Sequence, residues 1–581
     1  MLNLPASLVS YLFLTVASVQ AADYHWPSLQ YDALEDFLYE GQRPDGSSMA
    51  QLVSPCKLRG GVNTTVAAEW VRVVYHDMST YNISDGTGGL DGSIFFETDR
   101  VENVGSGMNN TLSDFSTYPS KYITRADLIG IATVWAVATC GGPVIPLQGG
   151  RVDANVAGPY GVPNATDSQD SLVATFAHQG FNKSEMIQLV ACGHTLGGVR
   201  YPDFSDIVAN SDNGGTVVDL FDGTQQFDHN IVTKYLDGTT QDPLIVNNAS
   251  AASDLQVFTA DGNVTMQAMN TAESFASTCT TVFTKMLNTV PSGVELTDPI
   301  DLLPVKVSTS SVQLTIGSGS QLQFQAAVRL SLVSNSTTVQ MYWCDRYGDA
   351  ANCSSGLKRF ASPGASSTVS SPVSQAMGVT LKKYQFVVPI DPSQSISKFW
   401  FVVNWGNGTT SVEDNGGTDY VVEQDQVLWV PSMSTAKSVL TGQTGVVVTA
   451  AVKNTTTPSR VYMDCFGRAT TDYIAANATY DLALNSSISS VAGYNFYSGV
   501  ATFDYGATMS FDLYAVDENG TSYVDAYRQE GLIGVSLASA STVNSTSSSS
   551  VSGDSGAQML APRWCVGAGL GLISLAALRY L

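Results

Sequence analysis

Apolar residues keep two different periods along this chain, and the change of period divides it. Between about residues 27 and 300 they recur every three or four positions, as in AAEWVRVVYHDM, RADLIGIATVWAVATC, DSLVATFAHQGF, KSEMIQLVACGHTLG and AMNTAESFASTCTTVFTKML. That spacing predicts amphipathic helices, separated by stretches rich in Pro and Gly. After Pro304 the runs alternate, as in VQLTIG, LQFQAAVRLSLV, YQFVVPI and KFWFVVNW, which predicts strands. The second half also repeats itself. VQMYWCDRYGDA (339–350) resembles RVYMDCFGRATT (460–471), and ISKFWFVVNWGNGTTSVED (396–414) resembles MSFDLYAVDENGTSYVDA (509–526). The expected architecture is therefore an all-α domain over 24–300 followed by two all-β sandwich modules, 301–430 and 431–535, immunoglobulin-like in size and strand texture. No chemical motif stands out in these modules, and their default reading is a spacer or a glycan-contacting stalk.

The ends read as addresses. Residues 4–19 form an apolar run followed by Gln20, Ala21 and Ala22, which predicts a signal peptide over 1–21 and a mature chain from near Asp23, although no Lys or Arg precedes the run. A Ser/Thr-rich linker (536–562) with the small residues Gly553, Asp554 and Ser555 leads to a tail at 563–581, whose uncharged part, Cys565 to Leu578, is 14 residues long. That is short of a membrane span and fits a GPI-attachment signal, with a tail anchor as the alternative. Fifteen Asn-x-Ser/Thr sequons between Asn63 and Asn544 suit an exported glycoprotein. The expected disulfides are Cys56 with Cys140, Cys192 with Cys279 and Cys344 with Cys353, leaving Cys465 unpaired and Cys565 in the tail. Across the 581 residues, 51 acidic side chains face 27 Lys and Arg, so the net charge of -24 argues against a nucleic-acid partner.

Histidine chemistry has five candidates, His25, His76, His178, His194 and His229. Arg72 and His76 stand at i and i+4, one turn apart on one helix face, and His194 closes another apolar helix. With their flanking residues these positions resemble the plant-type haem peroxidase superfamily, in particular its secreted fungal and plant classes. The motifs are RVVYHD (72–77), GGLDGSI (88–94), GGRVDA (149–154), ACGHTLG (191–197), FDGTQQFDHN (221–230) and SDLQVF (253–258), in the family's order and over about 270 residues.

The resemblance implies haem b with His194 as the axial iron ligand, Asp254 accepting the other N–H of His194, and Phe221 packed beneath the haem. Intracellular members carry tryptophan at the position of Phe221. His76 is then the acid–base group and Arg72 the stabilising cation. Asn103 orients His76 and is itself held by Glu97. Donors reach the haem edge near Pro163. Two Ca²⁺ sites are implied: a distal one from Asp77, Asp91, Ser93 and the Gly89 carbonyl, and a proximal one from Thr195, Asp222, Thr224 and Asp228. Tyr75 departs from the Phe or Trp usual beside the distal histidine. The carboxylates of manganese-oxidising relatives fall at Thr65, Glu69 and Arg200, and the surface tryptophan of lignin-oxidising relatives falls at Leu189, so neither specialised site is expected. Tyr75, Trp70 and Trp135 stay open as radical relays. The implied function is a secreted, calcium-stabilised peroxidase that reduces hydrogen peroxide and oxidises small phenols. The alternatives are a cell-surface adhesion or glycan-binding protein on a peroxidase-like scaffold, and an intracellular cytochrome c or ascorbate peroxidase type, with which the signal peptide, the sequons and Phe221 conflict.

Overall fold

A computed structural model describes residues 24–526, apart from 30, 44–46, 210–215, 248, 317–318, 332, 357, 441–442, 469–474 and 505–508. The expected signal peptide, linker and GPI tail lie outside the described residues.

Helices dominate from Asp32 to Leu287, and local chemistry starts several of them. Thr65 Oγ1 accepts the Ala68 N–H at 3.0 Å to open the helix Val66–Met78. Thr124 does the same for Arg125–Thr139, and a reciprocal Asn182/Glu185 capping box opens Lys183–His194. The helix Arg125–Thr139 is buried almost all round and packs against Val66–Met78, with Trp70, Val74, Ile131 and Trp135 in one core. The GGRVDA motif braces that helix. Arg151, fully buried, binds Asp127 at 2.9 Å and the Leu287 carbonyl at 2.7 Å, while Asp153 accepts the N–H groups of Arg125 and Ala126. All three expected disulfides form, and Cys465 is free and buried.

From Val305 onward the chain builds two pairs of antiparallel sheets. In the first pair one sheet runs Val305–Thr315, Gln321–Ser331, Leu381–Ile390, Ala365–Val369, and its mate runs Thr410–Glu413, Lys398–Asn404, Thr338–Cys344, Arg359–Phe360. Phe324 meets Phe399, and Phe386 meets Phe401, across the gap. The second pair repeats this order, with Val427–Trp429, Gln443–Lys453, Tyr494–Asp504, Ala483–Leu484 facing Ser522–Asp525, Met509–Asp517, Pro458–Arg468, Ala475–Asp481. The repeated sequences occupy equivalent strands, so Tyr342 pairs with Trp400 where Tyr462 pairs with Tyr514.

Two boundaries differ from expectation. The second sandwich already takes a strand at Val427–Trp429, ahead of residue 431, because Val427 packs into its core with Val448 and Leu513. The helical region also does not close on itself at 300. Val369, Val373 and Leu381 belong to the helical core, and the short helix Pro372–Ala376 lies on Arg125–Thr139. In turn Trp26 packs edge-on against Phe399 and Tyr420 of the first sandwich.

The helix Asp32–Glu40 supplies a buried ionic seam between the two regions. Arg329 Nη1 binds Glu35 at 2.9 Å, Lys383 binds Glu40 at 3.0 Å, and Lys306 lies 3.1 Å from Asp32. Lys121 reaches the second sandwich, bridging Asp464 and Asp512 at 2.6 and 2.7 Å. Both sandwiches therefore dock on the helical region rather than extending from it as a free stalk.

Candidate functional site

Arg72 and His76 project one turn apart from Val66–Met78. His76 Nδ1 lies 2.7 Å from Asn103 Oδ1, and Asn103 Nδ2 donates to the Glu97 carbonyl at 3.0 Å. Because the amide nitrogen is committed to Glu97, its oxygen faces the ring, so the proton sits on Nδ1 and the Nε2 lone pair is free. Burial first, and the Arg72 charge second, hold the His76 pKa down to about 3, and the Asn103 contact offsets this in part. At neutral pH the ring is a neutral proton acceptor. Glu97 is anchored in turn by the Gly158 N–H at 2.8 Å and by Arg100 at 3.4 Å. Arg72 Nη2 donates to the Val104 carbonyl at 2.9 Å, with its guanidinium 5.5 Å from the Phe204 ring. Burial lowers its pKa to about 10, which leaves it charged at neutral pH.

His194 ends Lys183–His194, and this helix is in contact with Val66–Met78. The approach is close: a Cβ on Gly197 would stand 2.8 Å from the Ala68 side chain. His194 Nδ1 lies 2.6 Å from Asp254 Oδ2, and the ring stacks on Phe221 at 4.1 Å and 3°. The Asp254 side chain is 2% exposed and that of His194 32%, so the histidine is oriented from its buried edge while part of its side chain stays exposed. A histidine whose Nδ1–H is held by a carboxylate has the fixed tautomer that an axial haem ligand requires.

The residues expected at calcium gather in two loops. Asp77 accepts N–H groups from Asp91, Gly92 and Ile94, and Asp91 accepts that of Ser93. Burial first, then the neighbouring Asp91, pushes the Asp77 pKa well up, and burial raises that of Asp91. The Ser93 hydroxyl is fully buried, and Gly89 sits beside Thr80 at φ 109°. In the second loop Thr195 Oγ1 donates to the Asp228 carbonyl at 2.5 Å, and Asp222 Oδ1 accepts from Thr224. Asp222 Oδ2 is buried with no partner among the described residues, and burial lifts this pKa to about 6. Among the described residues no group of three or more His, Cys, Asp and Glu side chains converges as a metal site. Both loops instead offer mixed carboxylate, hydroxyl and carbonyl oxygens, the donor set a hard cation takes.

Tyr75 turns its hydroxyl toward Gln179 Oε1 at 3.4 Å and stacks on Phe176, and burial raises its pKa. Pro163 is half-buried in the loop whose Val162 N–H meets Glu102 at 3.4 Å. The manganese positions are otherwise employed. Thr65 caps a helix, and Glu69 is held by Arg59 and Arg200, both at 2.6 Å. Leu189 is buried, Trp70 donates to Asp114 at 3.0 Å, and Trp135 donates to the Leu38 carbonyl at 3.0 Å. Two contributors escaped sequence reasoning, since Gln179 and Arg59 carry no motif.

Residues 49–277 match a protein-family model described as Peroxidase. Over 339 residues the chain is 39% identical to a WSC domain-containing protein of Arthroderma benhamiae, covering 56% of this chain and 46% of that one, so this likeness reaches beyond 49–277. It is 35% identical over 138 residues to L-ascorbate peroxidase 3 of Arabidopsis thaliana (23% of this chain, 48% of the relative). It is also 35% identical over 133 residues to the mitochondrial cytochrome c peroxidase of Emericella nidulans (22% and 37%). The chain thus spans about half, or less, of the length of each relative. The last two carry the names of the intracellular type that the signal peptide, the sequons and Phe221 had argued against.

Proposed function

We propose, from the match of residues 49–277 to the peroxidase family model, that this chain is a haem-dependent hydrogen-peroxide oxidoreductase. The observation that carries the reading is the pair of oriented histidines on touching helices, one neutral beside a cationic guanidinium and one hydrogen-bonded to a buried carboxylate. His194 Nε2 would hold the iron, with Phe221 against the ring. Haem, when bound, supplies the redox centre that takes two electrons' worth of oxidation from peroxide and passes it on in single-electron steps. His76 Nε2 accepts a proton from one peroxide oxygen and returns it to the other, so that the departing oxygen leaves as water. Arg72 stabilises the negative charge that builds as the O–O bond lengthens. Asp254 takes the His194 N–H and makes that ring a stronger electron donor.

The finer reading is an exported, GPI-anchored glycoprotein with calcium in both loops and small phenols as donors near Pro163. The Asp222 Oδ2, buried with no donor among the described residues, supports the calcium assignment, and the engagement of Glu69 by two arginines supports phenols over Mn²⁺. The strand order of both sandwiches supports an immunoglobulin-like reading of the modules. The adhesion alternative would leave the Asn103–His76 and Asp254–His194 alignments without a purpose. Replacing His76 with Leu tests the reading. Haem should be retained, and the peroxide reaction should slow by about 10² to 10⁴ in stopped flow. A rate within about tenfold of the native one would overturn it. Anchorage is tested separately by phase partitioning before and after phosphatidylinositol-specific phospholipase C.

A further inference from the structure

The loop 155–162 lies directly on the end of the helix Val66–Met78, which carries Arg72 and His76. A Cβ on Gly161 would stand 1.9 Å from the Ser79 carbonyl oxygen, and one on Gly158 would stand 2.9 Å from the Thr80 Cβ, so glycine alone allows this approach. Val156 and Tyr160 stay 65% and 72% exposed. Apolar burial therefore holds little of the loop, and its polar contacts set its position. One group of contacts comes from the segment that ends at Asn103. Glu97 accepts the Gly158 N–H at 2.8 Å, Glu102 accepts that of Val162 at 3.4 Å, and Arg100 donates to the carbonyls of Gly158 and Pro159. The other anchor is Gln179, just past the helix Gln169–His178. Gln179 is 1% exposed, and its Nε2 donates to the Gly161 carbonyl at 2.8 Å. With the amide nitrogen committed there, Oε1 faces the Tyr75 hydroxyl 3.4 Å away. Tyr75 immediately precedes His76 and stacks on Phe176 at 5.8 Å and 25°.

We infer that Gln179 is a positioning residue for donor selection: its buried amide latches the loop 155–162 to the helix Val66–Met78, through Gly161 on one side and Tyr75 on the other, and so fixes the rim that a donor passes near Pro163. This rests on the peroxidase reading above and deepens it by naming what shapes the donor entrance. The latch uses the one atom by which Tyr75 differs from phenylalanine. A phenylalanine there would leave Gln179 Oε1 buried without a donor, and loss of the Gln179 amide would leave both the Gly161 carbonyl and the Tyr75 hydroxyl without their partner. The opposite anchor, Glu97, also holds Asn103 and through it His76. Loosening Gln179 therefore frees one side of the rim while the orientation of His76 is kept by the other.

The test uses the full-length protein with Gln179→Met, which keeps the side chain's length but neither hydrogen bond, and Tyr75→Phe, which removes only the hydroxyl. Amide hydrogen exchange needs no haem. In Gln179→Met, peptides covering 155–163 should exchange about tenfold faster than in the native protein, while the helix Lys183–His194 is unchanged. Tyr75→Phe should speed the same peptides by less, because its bond is the longer one. It keeps the packing on Phe176 and carries the test alone if Gln179→Met does not fold. In the haem-loaded protein, the preference for a small phenol over one with bulky ring substituents, taken as the ratio of kcat/KM values, should fall at least about threefold in Gln179→Met. The rate of the peroxide step should stay within about twofold of native. Unchanged exchange in both variants, an unchanged preference despite faster exchange, or a peroxide step that falls as far as the preference would each overturn the inference. A protein whose loop loosens as expected but takes up no haem would uphold the latch and count against the proposed function instead.

Discussion

Replacing Arg329 with Met should loosen the helical region although residue 329 lies outside it. Arg329 and Glu35 are both fully buried and share two hydrogen bonds, one of 2.9 Å, and the guanidinium also donates to the Leu303 carbonyl at 3.1 Å. Burial alone would lower the Arg329 pKa, but Glu35 and then Glu40 raise it above its ordinary value, so the cation is firmly held. The seam contains four acids, Asp32, Glu35, Asp36 and Glu40, against Lys306, Arg329 and Lys383. Loss of Arg329 strands Glu35 without its main counter-ion. Removing one partner of a buried pair costs about 3–5 kcal/mol, against about 0–1 for an exposed one. At about 2–4 °C per kcal/mol for a domain of this size, the melting temperature should fall by about 6 °C or more. Asp32–Glu40 also carries Leu34, Phe37 and Leu38 into the core, with Phe37 5.1 Å from Trp135, so its release should expose the helical region to proteolysis. The double change Glu35→Leu with Arg329→Met should recover much of the loss, since it leaves neither charge unpaired. Calorimetry and limited proteolysis provide the assay. A single-variant loss below about 1 kcal/mol would refute the reasoning, because that is what a solvated pair costs.

Three other outcomes are expected. Burial, and next to it Glu40, raises the Asp36 pKa to about 8 against the opposing pull of Lys306. The folded state therefore keeps a proton that the unfolded chain gives up near its ordinary value of 3.8. Stability from this group then falls as pH rises from about 4 and levels off above about 8. Asp36→Asn should consequently gain melting temperature relative to native as pH goes from 5 to 8, and an equal offset at both pH values would contradict this. Prolonged EGTA treatment should lower both melting temperature and activity, with metal analysis finding about two Ca²⁺ in the undialysed protein; active enzyme without calcium would remove the assignment. Steady-state assays should show phenol turnover above Mn²⁺ turnover, because Glu69 is neutralised by Arg59 and Arg200, and the reverse order would sink the donor proposal.

Local signals carried much of this protein. The change from a three- to four-residue period to alternation near Pro304 reflects which faces of a helix or a strand meet a core, and it separates the helical region from the sheets. The Arg72 and His76 spacing puts two side chains on one face whatever surrounds them, and the repeated strands at 342 and 462 fall on equivalent positions. Tertiary structure alone decided the rest. The Glu35–Arg329 pair joins residues 294 apart, and Lys383–Glu40 spans 343. An acidic helix and scattered basic strand positions read as solvated surface until the fold brings them together. Glu69 likewise reads as a free carboxylate in sequence and is a neutralised one in the fold. Periodicity records burial of a face, which neighbours in sequence share. Charge pairing depends on distances of a few ångströms between segments far apart in the chain, and no local pattern encodes those.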